Sequence, residues 1–466
     1  MALSSSMPEE LQPASADMVE DETSQAIGRS ALRKAGLRIL PVIGIGYGLA
    51  YMDRISVSFA ALRMNQDLHF SATVYGFGAG LFFIGNAICE VPSNLALLRF
   101  GTKRVLACII FFWGLIATSM MLVRTPMAFY TLRFLLGAAE AGFYPGVLYY
   151  LTLWFPARMR ARAVSRFYIA LPLSSVVMGA LAGWLLGLDG KLGISGWQWL
   201  FLVEGLPAVL FTAVILKLLP DSPRQASWLT ADEKDWLREQ LSKDDAKAHL
   251  GHESGVLKAL LSYKVWLIGL FFFFAGICNY GFGFSAPIII QNATGWNVSK
   301  VGYMIALFGL ASVVAMLLNG AHSDRTHERA LHCIVPCCLI AIGFTVASFA
   351  STPWLVIASL ATSFIAFNAL MAPGLSLPME FLAGRAAAAG IAAMNTIAIF
   401  SGFAGPYWIG LSRDASGNYR LGLQGLMVSS LIAAGIMFVL ARSLKRQPAH
   451  VEEEEVLVEE SHLGSY

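Results

Sequence analysis

The segment PDSPRQASWLTADEKDWLREQLSKDDAKAHLGHESGVLKALLS, residues 220–262, is the longest polar stretch inside the chain and separates two strongly apolar halves. It opens with Pro220 and Pro223. Thr230 is followed three residues later by Glu233, the pattern of a capping box, so we expect a helix to begin there. That helix is predicted to be short and amphipathic and to lie against a membrane surface through one apolar side, formed by Trp228, Leu229, Trp236, Leu237 and Leu241.

The composition of the whole chain excludes a soluble protein. Hydrophobic residues make up 56% of the 466 residues and charged residues only 14%, whereas soluble domains carry about 25% charged residues. The net charge of +3 and the lack of a basic stripe argue against binding to nucleic acid. The six cysteines all lie in apolar stretches, so we interpret them as packing residues.

The apolar residues fall into twelve segments. A membrane helix needs about 20 mostly apolar residues, and six such segments precede the linker and six follow it. No run alternates apolar and polar residues, which excludes a β-barrel. The sequence therefore predicts an all-α membrane protein with twelve transmembrane helices in two pseudo-symmetric six-helix halves, spanning 37–62, 72–98, 104–123, 126–154, 163–187, 198–219, 263–290, 299–322, 331–350, 353–380, 386–412 and 420–442.

Lys and Arg residues predict the orientation. If the termini and the linker share one side, that side holds 25 of the 33 basic residues and the other side holds six. The positive-inside rule then places both termini in the cytoplasm of a multi-pass inner membrane protein. The predicted organisation is a disordered acidic tail, a first half, a cytoplasmic linker, a second half and a second disordered acidic tail, at 1–35, 36–219, 220–262, 263–445 and 446–466.

Short basic turns at equivalent places support two related halves. Residues 99–104 (RFGTKR) join spans 2 and 3, and residues 323–329 (SDRTHER) join spans 8 and 9. Two similar halves around a central pathway are a common plan among secondary transporters.

Four charged residues lie where lipid should surround the chain. Asp53 and Arg54 are deep in span 1, and Arg133 and Glu140 are in span 4. A charge at the bilayer centre costs about 2.5–3.5 kcal/mol on insertion scales, so such residues are functional by default. Arg133 and Glu140 are seven residues apart and share one helix face. The alternative is an ion pair that locks helices together without touching substrate.

Other buried acids carry less weight. We interpret Glu90, Glu204 and Glu380 as structural. No histidine lies at mid-span, so neither a histidine proton relay nor a metal site is expected.

Several motifs resemble the major facilitator superfamily and, within it, the anion:cation symporters of the tartrate, phthalate, hydroxyphenylacetate and sugar-acid type. The resemblance covers residues 35–445. It rests on YMDRI (51–55), YGFGAG (75–80), EVPSN (90–94), RFLLGAAEAG (133–142), WFPA (154–157), GWQWLFLVEGLP (196–207) and GP (405–406).

This resemblance implies a secondary active transporter that imports a small organic carboxylate with protons by alternating access. Arg54 would hold the substrate carboxylate, Asp53 and Glu140 would bind protons, and Arg133 would be their electrostatic partner. Further substrate-binding candidates are Tyr51, Asn86, Ser285 and Asn395. We expect a monomer in the lipid bilayer, with no cofactor and with H⁺ as coupling ion.

The sequence also departs from the family pattern at positions that the resemblance assigns to the cavity. Asn86 and Ser285 stand where bulkier aromatic groups are frequent, Gly374-Leu375 replaces a Phe-Trp pair, and Ile399 replaces an Asn. We therefore hypothesise a roomy, rather apolar pocket suited to an aromatic or branched monocarboxylate.

Other functions are less well supported. No Ser-His-Asp grouping, metal cluster or nucleotide loop indicates an enzyme, and no filter-like repeat indicates a channel. Proton-driven efflux of a drug or metabolite and a transporter-derived nutrient sensor remain the alternatives.

Overall fold

The computed structural model describes residues 14–168, 170–249, 261–380 and 384–445. All regular elements in these ranges are helices, as predicted. The sixteen main helices are α1 Ala14–Asp67, α2 Ala72–Phe100, α3 Thr102–Ser119, α4 Pro126–Glu140, α5 Phe143–Thr152, α6 Ala157–Tyr168, α7 Ala170–Leu186, α8 Gly196–Leu218, α9 Ala231–His249, α10 Tyr263–Thr294, α11 Val298–Thr326, α12 Leu331–Phe349, α13 Pro353–Ser376, α14 Gly384–Ile399, α15 Ser401–Ser416 and α16 Arg420–Lys445.

Nine of the twelve predicted spans are single helices. Within the described ranges, nine helices are long and apolar enough to cross a membrane. Two other spans are corrected, because each consists of two consecutive helices: α4 and α5 form span 126–154, and α14 and α15 form span 386–412. In span 163–187, α6 and α7 lie on either side of residue 169, which is outside the described ranges. The first break follows from Pro145, which has no N–H to donate to the carbonyl of Ala141.

Helix α1 corrects the prediction of a disordered tail over residues 1–35. It begins at Ala14, and Ala31 and Ala35 are fully buried. Residues 1–13 lie outside the described ranges, as does the predicted tail beyond Lys445.

The linker helix α9 holds this extension in place. Glu233 forms the predicted capping box, accepting a hydrogen bond from Thr230 N at 2.9 Å, while its own N donates to Thr230 Oγ1 at 3.3 Å. The same carboxylate accepts bonds from Ser30 Oγ at 2.7 Å and Lys34 Nζ at 2.9 Å. The linker helix is therefore tied to α1.

The apolar side of this linker packs on protein rather than on a membrane surface, which corrects that prediction. Leu229 and Leu237 are buried in the core of the first half. Trp236 lies against Gly28 of α1. A protein surface offers the linker a close-packed partner that a lipid interface does not.

Each half has its own hydrophobic core. One core is built almost entirely from residues of α1 to α9, and the other from α10 to α16. The turns after α2 and α11 both contain a residue with positive φ, Gly101 at 88° and His327 at 51°. The two basic turns noted in the sequence thus occupy equivalent places but differ in backbone conformation, since ψ is 141° at Gly101 and 29° at His327.

The two halves meet on the side of the bundle away from the linker, which we call the opposite side. Gly179 and Gly302 bring α7 and α11 into backbone contact, and Gly76 packs on the Pro406 carbonyl. Tyr75 Oη donates to Phe284 O at 2.8 Å.

The exposure of the α2 side chains indicates that the two halves are in contact on the opposite side. Residues 72–87 are all buried or half-buried. Nearer the linker, the side chains of Ile88, Val91, Leu95 and Leu98 are 60–66% exposed. The passage between the halves is therefore closed on the opposite side.

Candidate substrate and proton site

Helices α2 and α4 cross very closely beside the four charged residues. A Cβ at Gly137 would lie 1.8 Å from Phe82 O, and one at Gly85 would lie 2.2 Å from Phe134 O. Only glycine permits this approach. The crossing places the Phe82 ring beside the charged side chains of α1 and α4.

Arg54 and Glu140 form an ion pair between α1 and α4. The Arg54 side chain is 29% exposed, whereas Glu140 is 4% exposed. Only one carboxylate oxygen of Glu140 is engaged, since its Oε2 is buried without a hydrogen-bond partner. The guanidinium is thus the accessible partner of a carboxylate that is otherwise enclosed.

Phe82 bridges the two arginines. The Cζ atoms of Arg54 and Arg133 lie 5.2 Å and 5.0 Å from its ring centroid, within the range of cation–π attraction. Arg133 is fully buried and donates to Ala79 O at 3.3 Å. Arg133 is therefore a fixed buried charge, while Arg54 is partly open to approach.

Asp53 faces away from Arg54. It is 3% exposed and its Oδ2 has no hydrogen-bond partner. Its charged neighbours are Glu140, Arg133 and, more weakly, Arg54. Adjacent side chains on a helix point about 100° apart, so Arg54 reaches Glu140 while Asp53 turns into the first half.

The other candidate residues divide into two groups. Tyr51 lies beside Arg54, and Asn86 Nδ2 donates to Gly137 O at 3.4 Å, next to the helix crossing. Ser285 is buried in α10 and Asn395 is exposed on α14. Among the described residues, no hydrogen bond links either of these two to the charged cluster.

Two residues of this region were not predicted to belong to the site. Tyr280 of α10 interacts electrostatically with Arg54 across the two halves. The glycine-rich stretch GICNYGFG (276–283) was the available signal, because small residues allow another helix to approach. Glu204, interpreted as structural, is a third buried carboxyl whose charged neighbour is Asp53.

Twelve spans in two six-helix halves, with charges enclosed between helices, define a multi-pass membrane transporter. The family description "Major Facilitator Superfamily" matches residues 43–406. The chain belongs to this superfamily, and its fold of twelve membrane spans in two halves is the one predicted.

Relatives and solved structures agree with this assignment. A candidate tartrate transporter of Agrobacterium vitis is 41% identical over 412 residues, covering 88% of this chain and 91% of its own length. A quinolone resistance transporter of Acinetobacter baumannii is 36% identical, covering 90% of this chain and 96% of its own length. A bacterial homologue of the lysosomal transporter Spinster, solved inward-facing and unoccupied, matches with a TM-score of 0.75 at 16% identity, over 87% of this chain and 97% of that one.

These relatives are named as transporters. The resemblance to organic anion transporters of the superfamily is confirmed, and the protein is a membrane transporter of a small molecule.

Proposed function

We propose that this protein imports a small organic carboxylate together with protons by alternating access. The arrangement that carries the proposal is the Arg54–Glu140 pair, a partly exposed cation held by one oxygen of a buried carboxylate. The 41% identity to a candidate tartrate transporter supports an organic anion as substrate.

Substrate and proton binding are coupled through this pair. A substrate carboxylate that binds Arg54 competes with Glu140 for the guanidinium. Glu140 is then left buried with a weaker counter-charge, and burial disfavours an isolated ionised carboxylate by several kcal/mol. Glu140 therefore takes up a proton as substrate binds. In this proposal the carboxylate that Arg54 releases is Glu140 and not the adjacent Asp53.

Asp53 and Arg133 form the second part of the proton site. Asp53 is buried beside Arg133, which carries a fixed positive charge. Protonation of Asp53 leaves Arg133 less well neutralised, so the binding of an anion nearby and of a proton at Asp53 favour each other, reciprocally.

Proton symport also overcomes the membrane potential. Import of an anion costs about 2.3 kcal/mol per charge per 100 mV. One proton per monocarboxylate removes this penalty, and a second makes import electrically favourable.

We also propose that the protein lies in the inner membrane as a monomer with both termini in the cytoplasm.

The proposed substrate is an aromatic, tartrate-like or sugar-acid-like carboxylate. The test is uptake into proteoliposomes with an imposed pH gradient, using tartrate, phthalate, 4-hydroxyphenylacetate and galactonate. We expect at least one to accumulate in a gradient-dependent manner, and the absence of any such uptake would contradict the proposal.

Two variants test the roles of adjacent residues. Arg54→Ala should abolish binding of that carboxylate, because no other described cation combines partial exposure with this position between the halves. Asp53→Asn should retain downhill exchange but lose uphill uptake. Normal affinity in Arg54→Ala, or gradient-driven accumulation by Asp53→Asn, would exclude the assigned role.

Efflux is the second candidate, favoured by the 36% identity to a quinolone resistance transporter. The same vesicles distinguish the two functions. Quinolone transport in exchange for protons, without carboxylate accumulation, would support efflux.

A further inference from the structure

Glu204 is a buried carboxyl in α8 that the mechanism above does not use. It is 6% exposed, and both carboxylate oxygens are enclosed without a hydrogen-bond partner. Glu140 and Asp53 each have an arginine close by, whereas the charged group close to Glu204 is another carboxylate, that of Asp53.

The helices around Glu204 supply few charges. Helix α8 packs against α1, α3 and α7. From α1, Asp53 and the Ser56 hydroxyl face Glu204. The α3 face beside the neighbouring Gly205 consists of Gly114 and Thr118, and α7 contains no charged residue. Asp53 is therefore the ionisable group that Glu204 meets.

Ser56 lies beside both Asp53 and Glu204. It is fully buried, and its hydroxyl donates to the backbone carbonyl of Asp53 at 2.8 Å. A serine hydroxyl both donates and accepts hydrogen bonds. With its proton donated to the Asp53 backbone, the Ser56 oxygen faces Glu204 as an acceptor for a protonated carboxyl.

We propose that Glu204 is a third protonation site, which holds a proton in this conformation and exchanges it with Asp53 during the transport cycle. An ionised carboxylate enclosed without a partner is strongly disfavoured. Two carboxyls that share one site do not both ionise readily, and Arg133 favours the charged form at Asp53. The proton of the pair therefore resides on Glu204 when Asp53 is ionised. This inference rests on the proposed proton coupling.

The first experiment determines whether Glu204 holds a proton. It requires no transported substrate. Infrared spectra of purified wild-type protein and Glu204→Gln are compared at neutral pH. We expect a protonated-carboxyl C=O band that the variant lacks. Its absence from the wild-type spectrum would overturn the proposal. Glu90→Gln, at a half-buried carboxyl in α2, is the matched control.

The second experiment determines whether that proton moves during transport. Accumulation of the carboxylate selected from the four-compound panel is measured with the membrane potential clamped at zero. Losing one coupled proton lowers the accumulation ratio about tenfold for a gradient of one pH unit. We expect this loss in Glu204→Gln and not in Glu90→Gln. An unchanged ratio in Glu204→Gln would show that Glu204 is protonated permanently, which overturns the proposal.

A third variant, Glu204→Asp, tests the proposal even if Glu204→Gln folds poorly. Glu204→Asp keeps an ionisable group and should retain the wild-type accumulation ratio with a shifted pH midpoint of uptake. An unshifted midpoint would refute the exchange. If wild-type protein shows no gradient-driven uptake, the proposed function fails, while the infrared comparison still determines whether Glu204 is protonated.

Discussion

The crossing of α2 and α4 gives a prediction whose size follows from the structure. In Gly137→Ala the new Cβ would lie 1.8 Å from Phe82 O and 2.6 Å from Phe82 C, whereas ordinary contact begins at 3.4 Å. The helices must therefore separate locally by roughly 1.6 Å, because both close atoms belong to rigid backbone. Overpacking of this kind costs about 1–3 kcal/mol.

The separation also displaces Phe82 from the two arginines. We expect Gly137→Ala to lower the midpoint of thermal unfolding in detergent and to weaken carboxylate binding. The matched control is Gly435→Ala in α16, where a Cβ meets nothing within 4 Å. That substitution should be neutral or stabilising by up to about 1 kcal/mol.

Unfolding midpoints that are equal in the two variants would refute the argument. They would show that α2 and α4 can move apart without lowering the stability of the protein. A lowered midpoint with unchanged carboxylate affinity would separate the packing role of Gly137 from the position of Phe82.

Two further predictions concern the contacts that hold the conformation. The Asp414 carboxylate accepts bonds from Ala72 N at 3.1 Å and Thr73 N at 2.8 Å, which joins the halves on the opposite side. Asp414→Ala should therefore raise the labelling rate of cysteines placed in that closed interface, and an unchanged rate would contradict the role. Burial alone would raise the pKa of Glu233, but its bonds to Lys34, Ser30 and Thr230 lower it to about 2. The linker contact should be complete above the usual value of 4.5 and be lost as pH falls toward 2. Hydrogen exchange in α9 should show this loss in wild-type protein, whereas in Glu233→Gln exchange should already be faster at neutral pH and depend little on acid.

Local patterns predicted the features that depend on neighbours along the chain. The Thr230–Glu233 capping box, the two basic turns and the apolar spans each occupy a few consecutive residues or one helix. The charged residues of α1 and α4 also stand out, because ionised groups are rare in apolar segments.

The sequence did not reveal which side chains of different helices contact each other. Sequence spacing gives the face of a helix but not the partner that the face meets. The family resemblance therefore implied Arg133 as the partner of Glu140, whereas Glu140 forms its ion pair with Arg54. The linker was recognised as amphipathic, but its partner is α1 and not a membrane surface.

The amino-acid sequence by itself was enough to predict an all-helical membrane protein in two halves. The reason is that the free energy of burying an apolar segment in lipid depends mainly on the composition and length of that segment. Only the tertiary structure decided that the halves close on the opposite side, that Phe82 lies between two arginines, and that Glu204 is enclosed beside Asp53. These features depend on close approach of distant segments, at glycines such as Gly137 and Gly302. Spacing along one helix carries no information about such contacts.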